Sequence, residues 1–145
     1  MIRDFDLSDI LSVTTGRLVS SRHIEGVYDI LNFLTGSELF THQLPRAMTR
    51  CRPWVLQQHP SLAAPALEVE AIADLDAALA QAPQADAAAC CASWVAAQQA
   101  LYGRTLPLIP LQIPEEFATP IADLVEMMGA ERVLIIDVEG TPDVT

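Results

Sequence analysis

Between Ala63 and Ala100, seventeen of 38 residues are alanine. No other feature limits the fold of this chain so strongly. Alanine loses no side-chain entropy in a helix and packs with little bulk, so the block must be helical and its helices must approach closely. Pro83 breaks it once, and Asp86 is positioned to cap the second helix. Pro65 suits a first helical position, and Leu67, Ala71, Ile72, Leu75 and Leu79 then share one face. After the break, Cys91, Trp94, Val95, Gln98, Leu101 and Tyr102 form a second stripe that ends at Gly103. A helical hairpin over Pro65–Tyr102 is the expected result.

Upstream, the signals are those of short helices. Over residues 7–16 (LSDILSVTTG), Ser8 is the expected N-cap, Ile10, Leu11 and Thr14 the inner face, and Gly16 the stop. Ser20 or Ser21 is expected to cap the next helix, where Ile24, Val27, Leu31 and Leu34 recur at helical spacing before Gly36. Pro45 starts a third helix carrying Met48, Cys51 and Arg52, and Pro53 ends or kinks it. Downstream, RTLPLIPLQIP has prolines at 107, 110 and 114, so it runs extended at an edge or over a surface. Pro120–Met128 reads as a short helix, and Arg132–Val138 as a strand that needs the 106–113 segment as its partner. The fold class expected is α+β, mostly α, in one domain. A neutral helical unit spans 1–62, the Ala-rich helical hairpin 63–103, and an extended segment, short helix and strand in a small C-terminal β-sheet 104–145.

Charge is distributed unevenly. Residues 1–52 hold six arginines and six acids, whereas residues 53–145 hold Arg104 and Arg132 against thirteen acids, so the whole excess of −11 lies in the last 93 residues. Such a surface repels phosphate backbones, which excludes direct nucleic-acid binding, and it attracts a basic protein groove, including one that normally holds nucleic acid. All eight basic residues are arginine. Lysine-dependent chemistry, from Schiff bases to P-loops, is therefore excluded.

Cys51, Cys90 and Cys91 make a poor disulfide framework, and the start of the chain has no signal-peptide pattern, so a reduced, cytoplasmic protein is expected. The apolar run Ala87–Leu101 is too short and too interrupted for a membrane span. His23, His42 and His59 are widely spaced, and neither CxxC nor HxxxH occurs, so no metal or cofactor is expected. The densest polar cluster gathers Thr14, Arg17, His42 and Arg46. As an enzyme, it would use His42 as base beside a threonine nucleophile, with an arginine holding an anion. Capping and turn chemistry accounts for the same residues with fewer assumptions, so no catalytic residue is assigned.

The strings LSDILSVTTGRLVS, GVYDILNFLTG and LFTHQLPRAMTRC, then QHPSL and SWVAAQQALYGRTLPLIPL, resemble a family of small uncharacterised proteins encoded by bacteriophages and prophages. The resemblance is strongest over Phe5–Leu62 and Trp94–Val138 and weakest over the acidic stretch Ala63–Ala89. It implies an accessory phage role and transfers no catalytic residue. Small acidic phage proteins without catalytic motifs commonly act by binding and blocking a host protein, as anti-CRISPRs do, and the analogy is extended to this chain. The expected function is counter-defence by stoichiometric binding to a host protein with a basic groove, such as a CRISPR effector subunit. Glu68, Glu70, Asp74 and Asp76 are the expected contact residues. The alternatives are a regulator of a host transcription or replication protein, a virion morphogenesis protein and, last, a small hydrolase-type enzyme. A homodimer is the other association expected.

Overall fold

The computed structural model describes residues 1–117. It is mostly helical, with a two-stranded antiparallel sheet. The expected helix Pro120–Met128 and strand Arg132–Val138 lie outside the described residues.

The chain begins with β1 (Arg3–Asp6), which runs directly into α1 (Leu7–Thr15). The N-cap of α1 is Asp6, not Ser8: the Asp6 carboxylate accepts from the Ser8 backbone N–H at 2.9 Å. Ser8 is thereby drawn inside the helix, where its hydroxyl donates to the same carboxylate and accepts the Ser21 N–H. All nine residues of α1 are buried. Its inner face is thus the whole circumference, as expected of a helix that the rest of the unit packs around. Gly16 closes α1 and Gly36 closes α2 (Ile24–Thr35), both in the left-handed region at φ 74° and 77°, where a side chain would be strained.

Neither Ser20 nor Ser21 caps α2. Its N-cap is His23, which makes no side-chain capping bond, because Ser20 is committed elsewhere: its hydroxyl donates to Asp9 and accepts the Arg22 N–H. The inner stripe of α2 is Val27, Ile30, Leu31 and Leu34, whereas Ile24, at the first position, is 45% exposed. The third helix, α3 (Leu44–Gln58), continues past Pro53, which therefore does not end it, and buries Leu44, Ala47, Cys51 and Val55.

The hairpin forms as the alanines require, with one modification. Ala66–Ala71 is a wider π-type turn that continues into α4 (Ile72–Gln81), and α5 (Ala87–Tyr102) returns beside it. The Trp94 indole N–H donates to the Ala71 carbonyl at 2.8 Å and ties the two arms together. Leu67, Leu75 and Val95 join the same apolar core as α1, α2 and α3. Leu101, expected on the inner stripe of α5, is 73% exposed, while Val95 and Gln98 are the residues that α5 buries fully.

The extended segment finds an N-terminal partner. β2 (Thr105–Leu108) pairs antiparallel with β1 in the register Arg3↔Leu108, Asp4↔Pro107, Phe5↔Leu106 and Asp6↔Thr105, and Leu7 N–H to Arg104 O at 2.8 Å extends the ladder. In that register Pro107 occupies a position whose backbone groups point out of the ladder, so its missing N–H removes no strand bond. Its carbonyl instead meets His59 Nε2 at 2.6 Å. Gln58 takes the Ile109 N–H, and Trp54 Nε1 and Gln58 Nε2 reach the Ile109 carbonyl, so the end of α3 covers the outer edge of the strand. Leu111 and Gln112 then donate to the Leu34 carbonyl and Ile113 to that of Thr35, which satisfies the open C-terminus of α2.

Candidate functional site

The four acids expected to meet a partner are divided by the fold. Asp76, on α4, is held by Arg17 from the α1–α2 loop through two parallel bonds, Nε to Oδ1 at 3.1 Å and NH2 to Oδ2 at 2.6 Å. This two-pronged grip holds the Asp76 carboxyl below the usual carboxylate range and raises the Arg17 guanidinium. Glu68, on the π-type turn, pairs with Arg52 of α3, whose Nε also donates to the Thr14 carbonyl at 2.7 Å. Glu70 and Asp74 are exposed, and among the described residues neither has an ion-pair partner. Two acids therefore clamp the hairpin to the N-terminal unit, and two face outward.

Between these clamps lies a cleft of about 470 Å³. Pro45, Met48, Thr49 and Arg52 form one wall at spacings of three and four along α3, Val13–Arg17 form another, and Glu68 and Ile72 close it from the hairpin. Its charge is balanced, since both guanidiniums face a carboxylate. Thr14 is on the wall and 2% exposed, and its Oγ1 has no hydrogen-bond partner among the described residues.

The polar cluster of the sequence comes together only in part. Thr14 and Arg17 share the cleft with Pro45, but His42 and Arg46 do not line it. The His42 ring stacks on Phe40 with centroids 6.1 Å apart, and the Arg46 guanidinium lies 5.0 Å over the Phe117 ring. Thr41 shares a 2.5 Å hydrogen bond with the Tyr28 hydroxyl. A threonine nucleophile with His42 as its base is not assembled at the cleft.

Sequence reasoning missed the one deeply buried charge among the described residues. Asp9 is 1% exposed and receives Ser20 Oγ and Arg22 NH2, each at 2.5 Å. Arg22 also reaches Asp29, which Arg3 grips through two bonds at 2.6 and 3.1 Å. Burial raises the Asp29 carboxyl, but hydrogen bonds from Arg3 and Arg22 outweigh it and hold the group below its ordinary value. Gly26 leaves room for this chain of charges: a Cβ there would lie 2.1 Å from Ser20 Oγ and 2.3 Å from Asp9 Oδ1. The signal available in the sequence was a carboxylate inside an otherwise uncharged helix of small and apolar residues, with a glycine three positions into the next helix.

Among the described residues, no group of three or more His, Cys, Asp or Glu is placed to hold a metal ion, and no helix is long and apolar enough to cross a membrane. No curated protein and no solved structure matches the chain. Residues 5–64, the span from β1 to the turn that precedes the hairpin, match the model of a family described as a domain of unknown function, DUF7736.

Proposed function

We propose that this protein acts without catalysis, as a stoichiometric binder whose acidic hairpin occupies the basic, nucleic-acid-binding groove of a host protein. The observation that carries this is the charge of the hairpin. Residues 60–103 contain five acids (Glu68, Glu70, Asp74, Asp76 and Asp86) and no lysine or arginine. Arg17 and Arg52, supplied by the N-terminal unit, neutralise two of them at the seam, which leaves Glu70, Asp74 and Asp86 exposed. Carboxylates on a helix can stand in for phosphates along a basic channel, and their field also speeds encounter. RNA-guided nucleases present such channels, so a phage-borne, anti-CRISPR-like inhibitor is the specific form proposed.

The test is capture from a bacterial host extract with the tagged protein, followed by purification of the captured protein. Its nucleic-acid affinity is then measured by fluorescence anisotropy with and without one equivalent of this chain. Loss of nucleic-acid binding at a 1:1 ratio supports the proposal. Undiminished nucleic-acid binding by a partner that stays saturated with this chain contradicts it.

A further inference from the structure

A second cavity, of about 630 Å³, lies on another face of the molecule, between α5 and the loop that joins α1 to α2. That volume is typical of sites for small organic molecules. One wall is small and apolar, built from Ala88, Cys91, Ala92 and Val95 at helical spacing on α5. The opposite wall and the rim carry Ser21, His23 and Arg104.

What sets this cavity apart is the state of those three polar side chains. Of the seven arginines among the described residues, Arg104 is the one whose guanidinium makes no ion pair, hydrogen bond or ring contact. The Ser21 hydroxyl and the His23 imidazole likewise have no partner within the described chain. Gln99, also on the wall, has no side-chain hydrogen bond among the described residues, whereas Ser8, Ser20 and Asp6 are in use. Ser8 bridges Asp6 and the Ser21 N–H, Ser20 bridges Asp9 and the Arg22 N–H, and Asp6 caps α1 through Oδ2. Ser21, His23 and Arg104 are exposed, so these donors are open to solvent and border the apolar wall across a space large enough for a ligand. His23 is also held at φ 58° and ψ −139°, a conformation that glycine adopts freely and a side chain only under strain, without making a capping bond to α2 in return.

We infer that this cavity binds a small organic anion, a carboxylate or phosphate monoester on a compact apolar body. Arg104 pairs with the anionic group, Ser21 and His23 donate to its remaining oxygens, and the body rests on the α5 wall. A guanidinium suits either oxyanion because its N–H groups form a planar fork. The site is independent of the acidic face of the hairpin and stands whether or not the chain binds a basic groove.

Isothermal titration calorimetry of the full chain with phenyl phosphate, benzoate and inorganic phosphate tests the site. Saturable 1:1 binding of one aromatic probe, at least tenfold tighter than inorganic phosphate, is expected, and the tighter of the two identifies the oxyanion. Arg104→Gln should weaken it at least tenfold with the melting temperature unchanged, since this guanidinium supports no other group. Ala92→Phe, which fills the apolar wall, should weaken the aromatic probes and leave inorganic phosphate unaffected. His23→Gly should lower affinity without lowering the melting temperature, because relieved strain offsets the flexibility glycine adds. No saturable binding of either aromatic probe, or binding that Arg104→Gln and Ala92→Phe leave intact, overturns the inference.

Discussion

Replacing Gly26 by alanine tests whether the buried charge chain organises the N-terminal unit. On propensity alone, glycine to alanine in a helix stabilises by up to about 1 kcal/mol. Here the new methyl group would sit 2.1 Å from Ser20 Oγ and 2.3 Å from Asp9 Oδ1. Neither neighbour is the loose end of a long side chain. Ser20 is 4% exposed and joined to Asp9 and the Arg22 N–H, and the Asp9 carboxylate is fixed by Ser20 and Arg22. Making room requires one of them to leave the other, and losing a buried hydrogen bond to a charged group costs about 1.5–3 kcal/mol. The propensity gain offsets part of this, so a net loss of about 1–2 kcal/mol is expected from the two effects together. For a chain of this size, that loss corresponds to a fall in melting temperature of roughly 2–8 °C. The assay is urea and thermal unfolding of wild type, Gly26→Ala, Asp9→Ala/Ser20→Ala and the triple variant. Without Asp9 and Ser20 side chains to strike, the added methyl should cost little, so the coupling in the cycle should be about 1.5–3 kcal/mol. A Gly26→Ala protein as stable as wild type would refute the argument.

Asp6→Ala should lower stability by about 1 kcal/mol in the same unfolding assay, since it removes the cap of α1, and Ser8→Ala should not reproduce its loss of the Ser8 N–H contact. In a native-state thiol titration with Ellman's reagent, Cys51 should stay silent until denaturant is added: it is fully buried, and burial pushes its thiol up to about 12. Asp29, Asp76 and Glu116 are all held below their ordinary values in the folded chain by arginines, so their contribution is present above the unfolded carboxylate range and is lost as pH falls. Urea midpoints should therefore be flat from neutral pH down to about 5 and decline between about pH 5 and 3, with Arg3→Ala flattening part of that decline.

What could be read from the sequence was whatever local chemistry decides. The alanine block had to be a helical hairpin, and Gly16 and Gly36 had to end helices, because no other backbone suits those residues. β1 escaped notice because RDFD has a single inward apolar residue, Phe5, and its partner strand lies about a hundred positions away. Pro53, expected to end or kink α3, does not end it. The candidate surface was legible as charge and illegible as geometry. The acids at 68, 70, 74 and 76 are evident in the sequence, but the arginines that occupy two of them come from 59 residues away for Asp76 and 16 for Glu68. Ion pairs between packed helices are tertiary facts, and spacing along one helix cannot reveal them. The same limit hid Asp9, whose burial depends on a serine and an arginine from the next loop.

The central claim is that the outward acids of the hairpin, rather than net charge, bind the basic partner. It is tested most directly by the dissociation constant of the captured partner for three proteins at 0.15 M salt: wild type, Glu70→Arg/Asp74→Arg, and a control with equal charge change, Glu25→Arg/Glu38→Arg, on exposed positions of the N-terminal unit. Screening at that salt limits surface charges to about 8 Å, so only acids at the interface should matter. The account predicts that the hairpin variant loses at least tenfold in affinity, about 1.4 kcal/mol or more, while the control stays near wild type. Equal weakening by both variants, or full affinity in the hairpin variant, would contradict it.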